Sequence, residues 1–520
     1  MKRIGIDVGG TNTDAVLVAD GRVLGAVKAP TTPDVTAGIV AALHRLRDRV
    51  PDSASADAVL IGTTHFVNSV VQRRNLTPVA AIRIGLPATA SLPPFCDWPT
   101  DLAELVRGGV WAVEGGHDYD GRPFMPLDTA AVRQAGREIR ERGLRDVAVT
   151  AMFSPLIDTD EETAAAILRE EVPGVRITCS HHLGGIGLLE RENAALLNAA
   201  LIPLAEATVR GFATAMAEIG LAAPLYITQN DGTVAEAARA AAVPVYSFAS
   251  GPTNSMRGAA FLSGLQDAIV ADLGGTTADF GHLRRGFPRE ANAVVHVGGV
   301  RTLFRMPDLI SIGLGGGSLV DPAGSHGGPV VGPTSVGYRL TEEALVFGGN
   351  QLTATDIGVA AGLAEIGDRS RVARLDPALV AGVLARARAM IEEQVDRMKT
   401  EAGDVVLLAV GGGAFLVPDR LEGVARVLRV AHGDCANAVG AAIAQVSGEV
   451  DQVFRDLSRA EAIARAQALA GERAVEAGAD PATLSLVEAE DIPIAYLPGN
   501  AMRVRAKVVG DIAAVTEPRR

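Results

Sequence analysis

One eight-residue pattern occurs twice in this chain and constrains it more than any other feature. Asp7-Val8-Gly9-Gly10-Thr11-Asn12-Thr13-Asp14 recurs 265 residues later as Asp272-Leu273-Gly274-Gly275-Thr276-Thr277-Ala278-Asp279. Each copy follows one β-branched run and precedes another, which reads as a glycine turn between two strands. The Gly-Gly pair permits unusual backbone angles and close approach, so successive N–H groups can point outward as an anion nest. The first Asp ends one strand and the second returns on the next. A single copy reads equally well as an ordinary tight hairpin. Two copies matching at five positions imply two related lobes opening onto one cleft. Facing each other, the loops would grip a polyphosphate from both sides. Their aspartates would hold Mg²⁺ through water, since Mg²⁺ keeps several waters and takes few carboxylates.

Short β-branched runs alternate with Ala-rich stretches, the pattern of α/β layers. Strands are expected at 3–8, 15–19, 23–27, 59–61, 79–84, 146–152, 224–227, 268–272, 280–283 and 405–410. Helices are expected at 35–50, 66–74, 129–141, 160–171, 188–216, 233–241, 377–398 and 436–447. The Pro/Gly-rich stretches 85–126 and 307–349 read as irregular excursions. The expected division is a first lobe over 1–187, a second over 188–433, and a returning helix with a short C-terminal segment over 434–520.

Composition removes several function classes. A net charge of −13 gives no electrostatic reason to bind nucleic acid or anionic lipid. Aromatics at 4% leave no broad stacking surface for single strands. Cys96, Cys179 and Cys435 lie far apart with no CxxC spacing, which argues against a disulfide framework, a structural zinc site or an iron–sulfur cluster. The longest apolar stretch, about 405–417, is too short to span a bilayer, and Asp7 interrupts any leader-like segment, so a cytoplasmic protein is expected.

Two further segments fit a nucleotide site. The run 405–410 leads into Gly411-Gly412-Gly413, where a base and ribose could lie on bare backbone. Cys435-Ala436-Asn437-Ala438-Val439-Gly440-Ala441-Ala442 begins a helix whose small side chains allow a close crossing; ordinary packing explains it equally well. Of the histidines, His65 beside Gly62-Thr63-Thr64 is better placed than His326, His432 or the pair His181-His182, for which a polar turn is the simpler reading. Cys435 reads as a small packed residue, and Asn193 and Asn198 are candidates for a cleft floor. The run 310–318 falls one glycine short of a dinucleotide fingerprint.

In this order the elements resemble the actin, Hsp70 and sugar-kinase superfamily, and within it the ATP-handling A subunit of the hydantoinase/oxoprolinase family. The carrying stretches are the opening Ile4 to Asp14, Gly62-Thr63-Thr64 with Asn68, and Ser250-Gly251-Pro252 with Gly258-Ala259-Ala260. Gly315-Gly316-Gly317-Ser318 and Gly332-Pro333 with Ser335 and Gly337 complete them. The chain departs from the family pattern at Ile61, Asn12 and Asp231, and only about seventy residues follow Val450.

The resemblance implies two ribonuclease-H-like lobes around a nucleotide cleft. It also implies ATP- and Mg²⁺-dependent hydrolysis of a cyclic amide such as a hydantoin, 5-oxoproline or a lactam, with a second (B) subunit completing a hetero-oligomer. Gly9, Gly10, Thr11, Asn12, Thr13, Gly274, Gly275, Thr276, Thr277 and Gly411 to Gly413 would contact the nucleotide. Asp7 and Asp272 would hold Mg²⁺, and Asp14 or Asp279 would orient the nucleophile. Thr63, Thr64, His65, Asn68, Gly316 and Ser318 would face the substrate. A small-molecule kinase and a nucleotide-switched partner protein are the alternatives.

Overall fold

The two glycine turns occupy equivalent places in two different sheets. A computed structural model of the chain describes residues 1–9, 12–30, 35–291, 295–302, 306–324, 328–494 and 499–513. Lys2–Val8 pairs antiparallel with Asn12–Ala19 and parallel with Ala58–Thr63. Ala268–Leu273 pairs antiparallel with Ala278–Arg284 and parallel with Val405–Val410. The echo in sequence is therefore an echo in topology. Ala58–Thr63 and Ala268–Leu273 are buried along their whole length, as central strands covered on both faces must be.

The first sheet has nine strands. From one edge these are Ser485–Pro493, Met502–Gly510, Gln445–Phe454, Thr233–Glu236, Leu225–Thr228, Ala58–Thr63, Lys2–Val8, Asn12–Ala19 and Arg22–Pro30. The second runs Phe287–Pro288, Ala278–Arg284, Ala268–Leu273, Val405–Val410 and Val424–Arg429, with Leu309–Ile312 also paired to Ala278–Arg284. A third, wholly parallel sheet orders Arg107–Glu114, Val79–Leu86, Asp146–Ala151 and Arg176–Cys179.

Several expectations change. Sheet membership follows neither expected boundary, because strands from 225–236 and 445–510 join the sheet of the first hairpin. The helix expected over 436–447 stops at Ala442, and the chain continues as the strand Gln445–Phe454. The one expected over 233–241 splits into the strand Thr233–Glu236 and the helix Ala237–Ala242. The excursion 85–126 carries the helix Thr100–Val106 and the edge strand Arg107–Glu114. The C-terminal segment holds an 18-residue helix, Arg459–Glu476, started by a Ser458/Glu461 capping box. It buries Ala462, Ala466, Ala470 and Ala474, a four-residue spacing that lays one face on the sheet. No described helix is long and apolar enough to cross a membrane.

Glycine brings the two main sheets together. The helix Ser250–Ser263 packs its Met256, Ala259 and Ala260 on Val270, Leu408 and Val410 of the second sheet. The short helix Ala436–Ala442 packs on Val16 and Val18 of the first. Where they cross, backbone meets backbone. A Cβ on Gly440 would lie 1.8 Å from the Asn254 carbonyl oxygen, and one on Gly258 would lie 2.0 Å from that of Ala436. Gly5 makes the same approach to Ala438 from the strand side, at 2.0 Å. Gly440→Ala is expected to cost about 1–3 kcal/mol or more, as overpacking against rigid backbone does. Gly412→Ala, whose Cβ would meet nothing within 4 Å, is the control in a denaturant titration.

Candidate functional site

Both hairpins close with the same turn. Gly9 N donates to Asn12 O at 3.1 Å, and Gly274 N to Thr277 O at 2.9 Å. Gly10 and Thr11 lie outside the described residues. Asp7 stands directly opposite Asp14, and Asp272 opposite Asp279. Directly opposed residues of an antiparallel pair project to the same face, so each hairpin presents two carboxylates together. Asp7 is 7% exposed and Asp272 9%.

These carboxylates are poorly compensated. Burial, then the neighbouring Asp14 charge, pushes Asp7 up to about 7, and the charge of Asp272 adds to the shift. Burial, then Asp279, pushes Asp272 up to about 6, with Asp14 contributing. Burial also raises Asp14 and Asp279. Asp7 and Asp272 thus lie within electrostatic range of one another although they belong to different sheets. Asn437 Nδ2 donates to Asp7 Oδ2 at 3.3 Å. Lys28 Nζ donates to Asp14 Oδ2 at 2.7 Å and to the Asp434 carbonyl at 2.6 Å. Burial opposes the Lys28 charge, but Asp14 holds its pKa above the ordinary value. Asp14 Oδ1 and Asn254 Oδ1 are buried without a hydrogen-bond partner among the described residues, and Ser255 lies against Asp272.

Other expected residues fall into distinct places. Asn12, Thr276 and Thr277 are exposed at the turns. Thr13 is not on the carboxylate face. It follows the turn by one strand position, so period two points it away from Asp14, and its Oγ1 lies against Gly38 of the helix Val35–Arg49. Gly411 and Gly413 wrap the base of the second hairpin: Gly413 N donates to Leu273 O at 2.7 Å, and Gly411 adopts φ +85 with no room for a Cβ beside Asp272 Oδ1. Gly412 is exposed.

Gly316 and Ser318 do not face an open site. Gly316 N and Gly317 N donate to the carbonyls of Gly274 and Gly275 at 3.0 and 2.7 Å, and the buried Ser318 Oγ accepts from Gly315 N at 2.9 Å. This glycine run braces the second hairpin from behind. Bare backbone serves a close protein contact as well as a ligand, and the sequence pattern is the same for both.

The 62–68 segment flanks the first hairpin. Gly62 pairs beside Asp7, and a Cβ there would lie 2.5 Å from Asn254 Nδ2. Thr63 Oγ1 accepts from His65 N at 3.1 Å, and Asn68 Nδ2 donates to Thr64 Oγ1 at 3.2 Å. Burial lowers the His65 pKa. Asn193 and Asn198 are committed to packing: Asn193 accepts from Trp98 Nε1 at 2.7 Å, and Asn198 donates to Ala242 O at 3.0 Å. Burial, then Asp14, pushes the Cys435 thiol up to about 12, as suits a packed residue. His326 lies outside the described residues.

Sequence reasoning missed Lys28, Asp434, Asn254 and the role of Asn437. Lys28 was accessible in principle, since it stands directly across the hairpin from Asp14. Asn254 and Asn437 reach the site through the helix crossing, which no local pattern announces.

Fold and site together define an α/β protein with two carboxylate-bearing glycine hairpins set toward each other. Residues 3–172 match the hydantoinase/oxoprolinase N-terminal region and residues 191–368 match hydantoinase/oxoprolinase. The chain carries both regions of that family in series. It is 26% identical over 503 residues to caprolactamase subunit alpha of Pseudomonas jessenii, covering 84% of this chain and 69% of that one. It is 28% identical over 391 residues to the acetophenone carboxylase gamma subunit of Aromatoleum aromaticum, covering 69% of this chain and 53% of that one. A crystal structure of the ATP-dependent caprolactamase from Pseudomonas jessenii superposes with a TM-score of 0.77 at 20% identity, over 100% of this chain and 89% of that one. A nucleotide-free acetone carboxylase does so at 0.70 and 18%, with the same coverage, so the fold is shared.

The raised carboxyls set a pH dependence. Both folded-state values lie above the ordinary carboxylate range near 4, so protonation favours the folded state. That stabilisation is complete below about pH 4 and is lost as pH rises through the 6–7 region. Between about pH 5 and about pH 8 the wild-type chain, free of divalent cation, is expected to lose more stability than the Asp7→Asn/Asp272→Asn double variant. Parallel denaturant titrations measure the difference.

Proposed function

We propose that this chain is the ATP-using subunit of an enzyme that opens a cyclic amide after phosphoryl activation. The observation that carries the reading is the pair of like-built hairpins, each opposing two aspartates, whose sheets are joined by the backbone-close crossing at Gly258 and Gly440. The relatives named caprolactamase and acetophenone carboxylase support it, and both are named subunits. The chain spans 69% and 53% of those two relatives, and it is their being subunits that puts a partner in the proposal.

The turns would seat the phosphates through the N–H groups of Gly275 and Thr276, the Thr276 and Thr277 hydroxyls, and Asn12. Gly412 would lie against the adenosine. Mg²⁺ fits the donor set, because Asp7 and Asp272 are under-compensated hard oxygen ligands, with the unpartnered Asp14 Oδ1 beside Asp7. When bound it would neutralise phosphate charge; Asp14, held by Lys28, and Asp279 would orient the attacking oxygen.

The chemistry needs the nucleotide because an amide carbonyl is a poor electrophile and its nitrogen a poor leaving group. Transfer of the γ-phosphoryl to the amide oxygen breaks that resonance and releases ADP. Water then adds to the carbon, the C–N bond breaks as nitrogen takes a proton, and a second water converts the acyl phosphate to carboxylate and phosphate. The chain's task is to position the groups and neutralise their charge.

ATP turnover with a panel of hydantoins, 5-oxoproline and lactams, with and without a B-type partner, tests the reading. Stimulated release of phosphate with an opened ring is expected, and Asp7→Asn or Asp272→Asn should lower it by at least about 100-fold while leaving the fold intact. A phosphorylated product that persists would make the chain a kinase. Undiminished turnover in both variants would remove the hairpins from the reaction.

A further inference from the structure

The strongest unassigned chemistry lies away from the hairpins, on the turn Ser180–His182 that precedes the long helix Leu188–Glu218. We infer that His181, His182 and Glu162 form a binding site for a zinc-like divalent transition metal.

The two imidazoles converge on one carboxylate oxygen. His181 Nε2 lies 3.5 Å and His182 Nε2 3.8 Å from Glu162 Oε1, and each of the three residues offers a ligand atom within 4.8 Å of the other two. The rings are stacked at a tilt, 3.9 Å between centroids. These separations are long for hydrogen bonds. They approach the ligand–ligand edge of tetrahedral zinc, roughly 3.3 Å for bonds of about 2.0–2.1 Å. Two imidazoles and one carboxylate are a donor set that zinc favours over Mg²⁺ or Ca²⁺.

A second observation points the same way. Behind His181 stands Glu161, fully buried, with its Oε2 2.7 Å from His181 Nδ1. This carboxylate is not itself a free ligand. Oε1 accepts from Ala151 N at 2.8 Å and Ser180 Oγ at 2.6 Å, and Oε2 also accepts from His181 N at 3.0 Å. It therefore requires a proton on His181 Nδ1 and leaves Nε2 facing Glu162, the nitrogen a metal would take in place of a proton. A carboxylate behind the distal nitrogen is the arrangement that orients metal-binding histidines.

The turn is held on both sides. Arg191 Nε donates to Ser180 Oγ at 2.9 Å, and Tyr246 OH donates to His182 O at 2.9 Å. His182 and Glu162 remain exposed, leaving a route for entry and a fourth position for water. A bound ion would tie the first turn of the helix Thr159–Glu171 to the turn ahead of the long helix.

The test uses the tag-free full chain, stripped with a chelator that is then removed. Cobalt(II) titration should show one saturable equivalent with the intense visible bands of tetrahedral cobalt, displaced by zinc. His182→Ala and Glu162→Gln, both exposed positions, should each weaken uptake by about tenfold or more, whereas His44→Ala should not. Saturating zinc should raise the Tm of the wild type and not that of His182→Ala. No saturable equivalent, or uptake that His182→Ala and Glu162→Gln leave unchanged, would overturn the assignment.

Discussion

Backbone contact between two small-residue helices is the constraint on which the site rests. At Gly258 and Gly440 the helices approach until no side chain fits between them, and at Gly5 a strand does the same. One helix is seated on the sheet of the second hairpin and the other on the sheet of the first. Closer packing is worth little by itself, since each atom pair gains only about 0.1–0.2 kcal/mol. Its importance is geometric. It fixes the distance between two groups of carboxylates that would otherwise separate to relieve their repulsion.

The site stores an imbalance. Asp7, Asp14, Asp272 and Asp279 are drawn from water, and the described neighbours supply Lys28 and a few neutral donors in return. Buried charge without a partner is costly, so proteins retain it where a ligand supplies the missing charge. The same burial and like charge that raise these groups are what the proposed cation would relieve.

The hairpins were legible because their signal is local. Eight consecutive residues specify the turn, the opposed aspartates and the flanking strands, and a second copy supplies its own control. The crossing at Gly440 was legible as a possibility, since small residues at helical spacing permit it. Partner choice over long separations was not. Nothing in the run 225–228 says that it pairs with 59–61, and the strand 445–454 follows a helix so closely that the two read as one. Gly315 to Ser318 misled for a different reason. A backbone stripped of side chains looks the same whether it faces a substrate or another turn, and here it carries the second hairpin. Thr13 shows how far one strand position matters, because a shift of one residue reverses the face.

The two main sheets also differ in how they are assembled from the chain. The second draws its five principal strands from 268–429. The first begins at Lys2 and is finished by Met502–Gly510, so the edge beyond Thr233–Glu236 is completed long after the edge at Arg22–Pro30. The opening hairpin finds both its neighbours by Thr63, and the second sheet is complete by Arg429, while Thr233–Glu236 still waits for Gln445–Phe454. During that interval the unfinished side of the first sheet is open to wrong partners, which places the hazard of misassembly at Thr233–Glu236, in the middle of the sheet.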